Sequence, residues 1–378
     1  MDYTLSDEHK MIQETAYKFA KNEFTPIMLE CDREEKYPRD LIRKAGENGL
    51  VGVMIPEEYG GPGLGFLEVT LIAEQFCRVD NGLGLSIVCS TFGMENIIFY
   101  GTEEQKKKYL PLVVDGSHIS AGAYTEPNAG TDVTGYRTQA KKDGSDYVIN
   151  GSKMFITNGT VCDFMVAACI TNPDEKKIHK RMSLIIINAD NPGLTKSKLH
   201  GKLGIRATDT AEITFEDVRV PQSNMVGVEH NGFNQLMHFF DRTRTTVAGQ
   251  AVGLAQGAFD KALEYVKQRE IFGQPLINNQ GVQFKLAEMA VLIELQRSIT
   301  YQAAWKTDNG QMDPKLNSIA KYNAGITATK VADMALQLHG GYGYMDEYDV
   351  QRFYRDAKII DIYEGSKEAE LLVISRRL

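Results

Sequence analysis

Between about residue 119 and residue 228 the sequence leaves helical spacing for short apolar runs broken by turn dipeptides, and this switch limits the fold more than any other feature. Tyr147-Val148-Ile149, Met154-Phe155-Ile156 and Ser183 to Ile187 read as strands. Asp143-Gly144, Asn150-Gly151 and Asn158-Gly159 separate or end such runs, and these dipeptides favour tight hairpin turns. The region is expected to be an antiparallel β domain, a barrel or a sandwich. The parallel strand–helix–strand order of a dinucleotide-binding unit is absent, as is G-x-G-x-x-G, so no such fingerprint argues for a cofactor.

Helical periodicity fills both flanks. At the N-terminal side Ser6 caps a helix whose first turn holds Asp7 and Glu8, favourable near the positive helix end. Met11, Thr15 and Phe19, with Ile12 and Ala16, follow at helical spacing. Pro38 and Pro56 punctuate, Glu58-Tyr59-Gly60-Gly61-Pro62-Gly63 is a loop, and another helix runs from Leu67 through Phe76. Residues 80 to 93 are rich in Gly, Ser and Thr, which is odd for a core helix. On the C-terminal side Val282, Leu286, Met289 and Ile293 form one helical stripe. Asp313-Pro314 starts a further helix carrying Leu316, Ile319, Val331, Met334 and Leu338, which Gly340-Gly341 ends. Long amphipathic helices with short connections suggest a bundle. A chain of 378 residues exceeds what one core usually serves. The expected class is α+β in three domains: helical over 1–118, β-barrel over 119–228 and helical bundle over 229–378.

The totals exclude several function classes. A net charge of −8 argues against a general nucleic-acid surface. Cys31, Cys77, Cys89, Cys162 and Cys169 form no C-x-x-C pair, which suggests reduced thiols in a cytosolic compartment. Met1-Asp2-Tyr3 begins no signal peptide, and no apolar run is long enough for a membrane span. Asn158-Gly159-Thr160 matches a glycosylation sequon and is better read as a turn. The seven histidines show no metal-ligand spacing, and the zinc-protease, P-loop and esterase motifs do not occur.

Near the C-terminus, Ile362-Tyr363-Glu364-Gly365-Ser366 sets a carboxylate between an aromatic residue and a glycine. Desolvation there would raise its pKa and make it a base near neutral pH. The same five residues also read as a helix start with a solvated glutamate and Gly365 or Ser366 as cap. Ala123 to Asp132 is a loop rich in hydroxyls and backbone N–H groups, suited to phosphate oxygens and ring carbonyls, or an ordinary polar loop.

Residues 362–368 resemble the I-Y-E-G-T-S-E signature of acyl-CoA dehydrogenases, with Ser366 for Thr and Lys367 for Ser. Thr125 to Asp132 resembles the family's flavin loop T-E-P-x-A-G-S-D, with Thr131 for Ser, and Phe155-Ile156-Thr157 resembles its W-I-T. Gln337 to Gly343 resembles Q-x-F-G-G-x-G, with His339 for Phe, and Glu58 to Gly61 resembles the E-Y-G-G loop. The likeness runs in order through the whole chain, and it implies a middle antiparallel β-barrel and a C-terminal four-helix bundle. It implies that Glu364 removes the substrate α-proton and that FAD accepts the β-hydride. It implies FAD contacts by Tyr124, Thr125, Gly130, Thr131, Phe155, Ile156, Thr157, Ser366 and Glu368, and across a subunit interface by Arg269, Gln280, Gln337, Gly340 and Gly341. It implies substrate contacts by Thr91, Thr131, Asp241, Arg244 and Gly365; at i, i+3 on a helix, Asp241 and Arg244 also read as a plain ion pair. Isovaleryl-type members place the base at the position of Thr243, which cannot act as one, so Glu364 remains.

The resemblance further implies electron transfer to an electron-transfer flavoprotein and a cytoplasmic homotetramer built as a dimer of dimers. An acyl-CoA oxidase and a non-catalytic flavin-bearing scaffold are the alternatives. If Gly82, Gly84, Ser86, Ser90, Thr91 and Gly93 line the pocket end, the cavity is broad and short. A butyryl-type chain is the expected substrate, with a branched or alicyclic acyl group as the alternative. Close helix packing explains those small residues equally well.

Overall fold

The computed structural model describes residues 4–378; Met1-Asp2-Tyr3, on which the signal-peptide expectation rests, lies outside the described residues. Ser6 caps the first helix as expected, its hydroxyl accepting from the His9 N–H at 3.1 Å. That helix is α1 (Asp7–Glu23), followed by α2 (Met28–Glu34) and α3 (Arg39–Glu47). Four more helices complete the N-terminal part: α4 (Phe66–Val79), α5 (Asn81–Val88), α6 (Met94–Tyr100) and α7 (Glu103–Val114). Ala16 and Ala20 of α1 are buried; Met11, which shares its periodicity, is exposed.

The β region holds β1 (Ser120–Ala123), β2 (Gln139–Asp143), β3 (Asp146–Thr157), β4 (Phe164–Ile170), β5 (Met182–Asn188), β6 (Leu194–Lys198), β7 (Thr210–Pro221) and β8 (Met225–Val226). They form one sheet in the order β6-β7-β3-β2-β4-β5-β8, with β1 beside β4. Most pairs are antiparallel; β1–β4 and the short β2–β4 contact are parallel. Asp143-Gly144 makes the expected hairpin, with Asp143 paired to Asp146 and Gly144 at φ 61°.

Asn150-Gly151 does not turn the chain. The two runs flanking it are one long strand, β3, and the dipeptide is a bulge where the pairing with β7 shifts register between Ile149 and Gly151. Gly151 has φ 145°, and a Cβ there would stand 2.6 Å from the Thr138 Cα. Close approach of two backbones, rather than a reversal, is why glycine stands here. Asn158-Gly159 does end β3, but the chain goes on to β4, which pairs with β1, β2 and β5 and not with β3.

The C-terminal part opens with α8 (Gly232–Gln268), then a two-stranded ribbon of β9 (Glu270–Ile271) and β10 (Gln274–Pro275), α9 (Gln280–Asp308) and α10 (Pro314–His339). The Asp313 side chain caps α10 from the Lys315 N–H at 2.9 Å, and Gly340 at φ 59° ends it. The chain closes with α11 (Val350–Ala357) and α12 (Lys367–Ser375), both packed on α10. Leu286, Met289 and Ile293 of the α9 stripe are buried against α8 and α10. All five cysteines are free thiols. Among the described residues no helix is long and apolar enough to cross a membrane, and no cluster could hold a metal ion.

One contact joins the N-terminal and C-terminal helices closely enough to set the position of both. α4 lies on α8, and a Cβ on Gly253 would stand 2.0 Å from the Glu74 carbonyl oxygen. Gly253→Ala must push the helices apart, and overpacking of this kind costs about 1–3 kcal/mol. The apparent melting temperature should fall accordingly; an unchanged value would mean that α4 and α8 are not held in contact there.

Candidate active site

Ordinary side chains resist the backbone of the turn at Glu364. Glu364 has φ 52° and Gly365 φ 102°. A Cβ on Gly365 would stand 2.0 Å from Glu370 Oε1, so glycine is required. Ser366 then caps α12, its hydroxyl accepting from the Ala369 N–H at 3.3 Å, while Glu368 lies exposed in the first turn. A left-handed non-glycine residue stores strain that its surroundings must overcome.

A buried ionic group beneath the turn supplies that constraint. Glu370, fully buried, accepts from Arg244 Nε at 2.9 Å, and Arg244 Nη1 donates to Asp241 Oδ1 at 2.5 Å. Lys321, also buried, donates its ammonium to the Gly365 carbonyl. Burial pushes the Lys321 pKa down to about 8 and raises that of Glu370. Lys367, a departure from the family signature, pairs with Asp361 at 2.9 Å and ties the same segment down. The Asp241–Arg244 ion pair is therefore real, and it belongs to the support of the Glu364 turn.

Glu364 itself faces a largely apolar cavity between α4, α5, α6 and α8. Its Oε2 accepts from the Thr243 hydroxyl at 2.7 Å. Desolvation raises its pKa above the ordinary carboxylate range; the Thr243 bond and the Arg244 and Lys321 charges pull it part of the way back. Tyr363 is anchored by its hydroxyl to Gln250 Oε1.

The cavity wall departs from the pattern expected over residues 80–93. Thr91 lines it, but the other small residues serve packing. Gly84 lies on Phe76, Gly82 beside Ala207, and Gly93 against Ala121. Ser86 and Ser90 bond the backbone carbonyls of Gly82 and Ile87. Bulky side chains close the wall instead, among them Ile72, Leu85, Val88, Met94 and Ile98. The E-Y-G-G loop folds under Ile55 at the same cavity: a Cβ on Gly61 would stand 2.1 Å from the Ile55 carbonyl oxygen.

Sequence reading passed over Glu95. Its side chain lines the same cavity, and its Oε2 is buried without a hydrogen-bond partner. Burial, with the Glu364 charge adding to it, raises its pKa to about 7. The available signal was a single acid in the short helix Met94–Tyr100, whose other residues are apolar or uncharged.

The loop from Tyr124 to Thr131 meets the end of β3 through the Met154 N–H, which donates to the Thr125 carbonyl at 2.9 Å. A buried ion pair fixes this junction: Lys153 Nζ lies 2.9 Å from Glu126 Oε1, and Glu126 also accepts from the Arg137 and Thr138 N–H groups. Tyr124 is buried, its hydroxyl accepting from Asn96 at 2.8 Å. A second bulge of β3 puts Phe155 at φ 60° and turns its ring outward, 66% exposed, while Ile156 is buried and Thr157 lines the cavity. Gly130 and Thr131 are exposed in the loop. An outward aromatic ring beside a threonine at the cavity and a hydroxyl-rich loop fit a flavin.

Arg269, Gln337, Gly340 and Gly341 line a different, open recess, which shares no residue with the Glu364 cavity. Gln280 opens α9 and is exposed. His339, where the family pattern has Phe, stacks on Tyr265 with ring centroids 4.3 Å apart, and its Nδ1 bonds the Ala335 carbonyl. It fills an aromatic position with an aromatic ring. Within one chain the predicted FAD contacts thus fall into two groups.

If Thr243 stabilises the Glu364 carboxylate, Thr243→Val removes a hydrogen bond that lowers its pKa. The Glu364 carboxyl should then titrate at higher pH than in the parent. Infrared difference titration of the two proteins reads this directly; an unmoved or lowered carboxyl titration would contradict the assignment.

Three family models match the chain: acyl-CoA dehydrogenase N-terminal domain over residues 6–117, middle domain over 121–218 and C-terminal domain over 230–378. The short-chain specific acyl-CoA dehydrogenase of Clostridium acetobutylicum is 41% identical, covering all of both chains. Butyryl-CoA dehydrogenase of Megasphaera elsdenii superposes with a TM-score of 0.96 at 38% identity, over 100% of this chain and 99% of that one. A chain solved in work on the electron transferring flavoprotein of Acidaminococcus fermentans and flavin-based electron bifurcation superposes with a TM-score of 0.97 at 39% identity, again over 100% and 99%.

Proposed function

The chain belongs to the acyl-CoA dehydrogenase family of oxidoreductases, and from that premise we propose that it oxidises a short or compact acyl-CoA to the 2-enoyl-CoA with FAD bound. The single observation that carries the reading is Glu364: a carboxyl of raised pKa, hydrogen-bonded to Thr243, facing an apolar cavity walled by bulky side chains. When bound, the flavin supplies a hydride acceptor and passes the electrons on to an electron-transfer flavoprotein.

The chain's own residues do the rest. Glu364 takes the α-proton of the thioester, and its raised pKa brings it closer to the thermodynamic demand of that transfer. The left-handed turn, held by Lys321, Arg244 and Glu370, fixes where the carboxylate points. The Glu364 backbone N–H is a donor for the thioester carbonyl, where enolate charge develops, and a preorganised donor there is worth the most. Phe155 would cover the flavin ring, Thr125 and Thr157 would bond its edge, and Thr131 would hold the pyrophosphate. A relative named short-chain specific and a similar butyryl-CoA dehydrogenase support the short acyl group, as does the bulky wall at Leu85, Val88, Met94 and Ile98.

The proposed assembly is a homotetramer, a dimer of dimers, and the separation of the two groups of proposed FAD contacts supports a neighbouring copy. Arg269, Gln280, Gln337, Gly340 and Gly341 would serve the flavin of a neighbouring copy. The apolar face of α9 supports a partner: Phe284, Val291 and Leu295 are 65%, 57% and 64% exposed at helical spacing, and Phe272, between β9 and β10, is 97% exposed. Sedimentation should give a flavin-loaded tetramer; a flavin-loaded monomer at working concentration contradicts this assembly.

The purified protein should be yellow and bleach anaerobically on addition of butyryl-CoA. Glu364→Gln should keep the flavin and bind the thioester while losing turnover by about 100-fold or more, the scale of a general base. Turnover near the parent rate in that variant, or a protein that takes up no FAD, would falsify the proposal.

A further inference from the structure

Two carboxyl groups face the Glu364 cavity, and the reaction uses one. Glu95 stands at the start of α6, where Gly93 at φ 94° and a backbone pressed on Ala121 leave its chain direction little freedom. Its carboxyl leans on the N–H groups of Gly93 and Glu95 itself, while Oε2 is buried with no partner among the described residues. No lysine or arginine acts on it. It shares the cavity wall with the apolar side chains of Val88, Met94 and Ile98, and it lies within electrostatic reach of Glu364, Cys89 and Tyr124. A buried polar atom without a partner is costly and rarely tolerated unless something satisfies it.

Resting on the dehydrogenase reading above, we propose that Glu95 is a specificity-determining residue that hydrogen-bonds a hydroxyl group on the part of the acyl chain beyond the reacting carbons.

The chemistry of the cavity selects a hydroxyl among polar substituents. Glu95 titrates near neutrality, so both of its forms are present at working pH. A hydroxyl both donates and accepts, and so satisfies either form. A distal carboxylate would face two acidic side chains, Glu95 and Glu364, with like charge on each. A purely apolar acyl group would cover Oε2 and leave its hydrogen bond unmade. Sites built to bond a substrate hydroxyl discriminate strongly against analogues that lack it.

The test compares matched thioesters on the flavin-loaded enzyme under anaerobic conditions: butyryl-CoA with 4-hydroxybutyryl-CoA, and hexanoyl-CoA with 6-hydroxyhexanoyl-CoA. In the parent, kcat/KM for the hydroxylated member of at least one pair should exceed that of its partner by about 10-fold or more. Glu95→Gln, which keeps a donor and an acceptor, should retain the order. Glu95→Leu, checked for flavin content and melting temperature, should reverse it. Parent enzyme that prefers the plain thioester in both pairs overturns the assignment and leaves the dehydrogenase reading standing. So does a folded Glu95→Leu with an unchanged ratio. Failure of every thioester to bleach the flavin overturns both.

Discussion

The molecule depends on holding one carboxyl in an apolar cavity at a fixed place. Ion pairing at Glu364 would depress its pKa, and open solvent would leave it near the ordinary range. Here the hydroxyl of Thr243 meets it directly, and the cations Arg244 and Lys321 act from the layer below. Lys321 spends its hydrogen bond on the Gly365 carbonyl and Arg244 on Glu370 and Asp241. The charges that would neutralise this carboxyl are thus engaged in fixing the backbone on which it stands.

The same economy appears at the other wall. Lys153 and Glu126, fully buried, form an ion pair that holds the Thr125 loop against the bulged end of β3. Removing one member would leave an unpaired buried charge, at about 3–5 kcal/mol. The bulge throws Phe155 outward and leaves Thr157 on the cavity. Both walls therefore use positive-φ residues, Glu364 and Phe155, locked by a buried ionic group beneath or behind them.

Local chemistry made much of this legible in advance. The Ser6 cap, the Asp313-Pro314 start, the Gly340 stop and the Asp143-Gly144 hairpin depend on a few adjacent residues, and each formed as read. The α9 stripe was readable because one buried face repeats at helical period. Asn150-Gly151 was misread because a dipeptide fixes a conformation without fixing its use. The same positive φ serves a turn or a bulge, and the strand opposite decides which. The small residues of 82–93 were open for a similar reason: smallness permits a wide pocket or a close packing, and the neighbours Phe76, Ala121 and Ala207 selected packing.

What the sequence determined by itself is the succession of helical, β and helical regions, the caps and stops, and a motif set that resembles that of the acyl-CoA dehydrogenases. Those rest on contacts between near neighbours in the chain or on residue patterns that carry their own chemistry. The tertiary structure alone decided that Thr243, far from Glu364 in sequence, would bond its carboxylate, and that Arg244 would face Glu370. It alone brought Glu95 into the same cavity. Burial and partnership are properties of a side chain's surroundings in space, and for these residues the surroundings come from distant segments that only the packing of α5, α6, α8 and the Glu364 turn brings together.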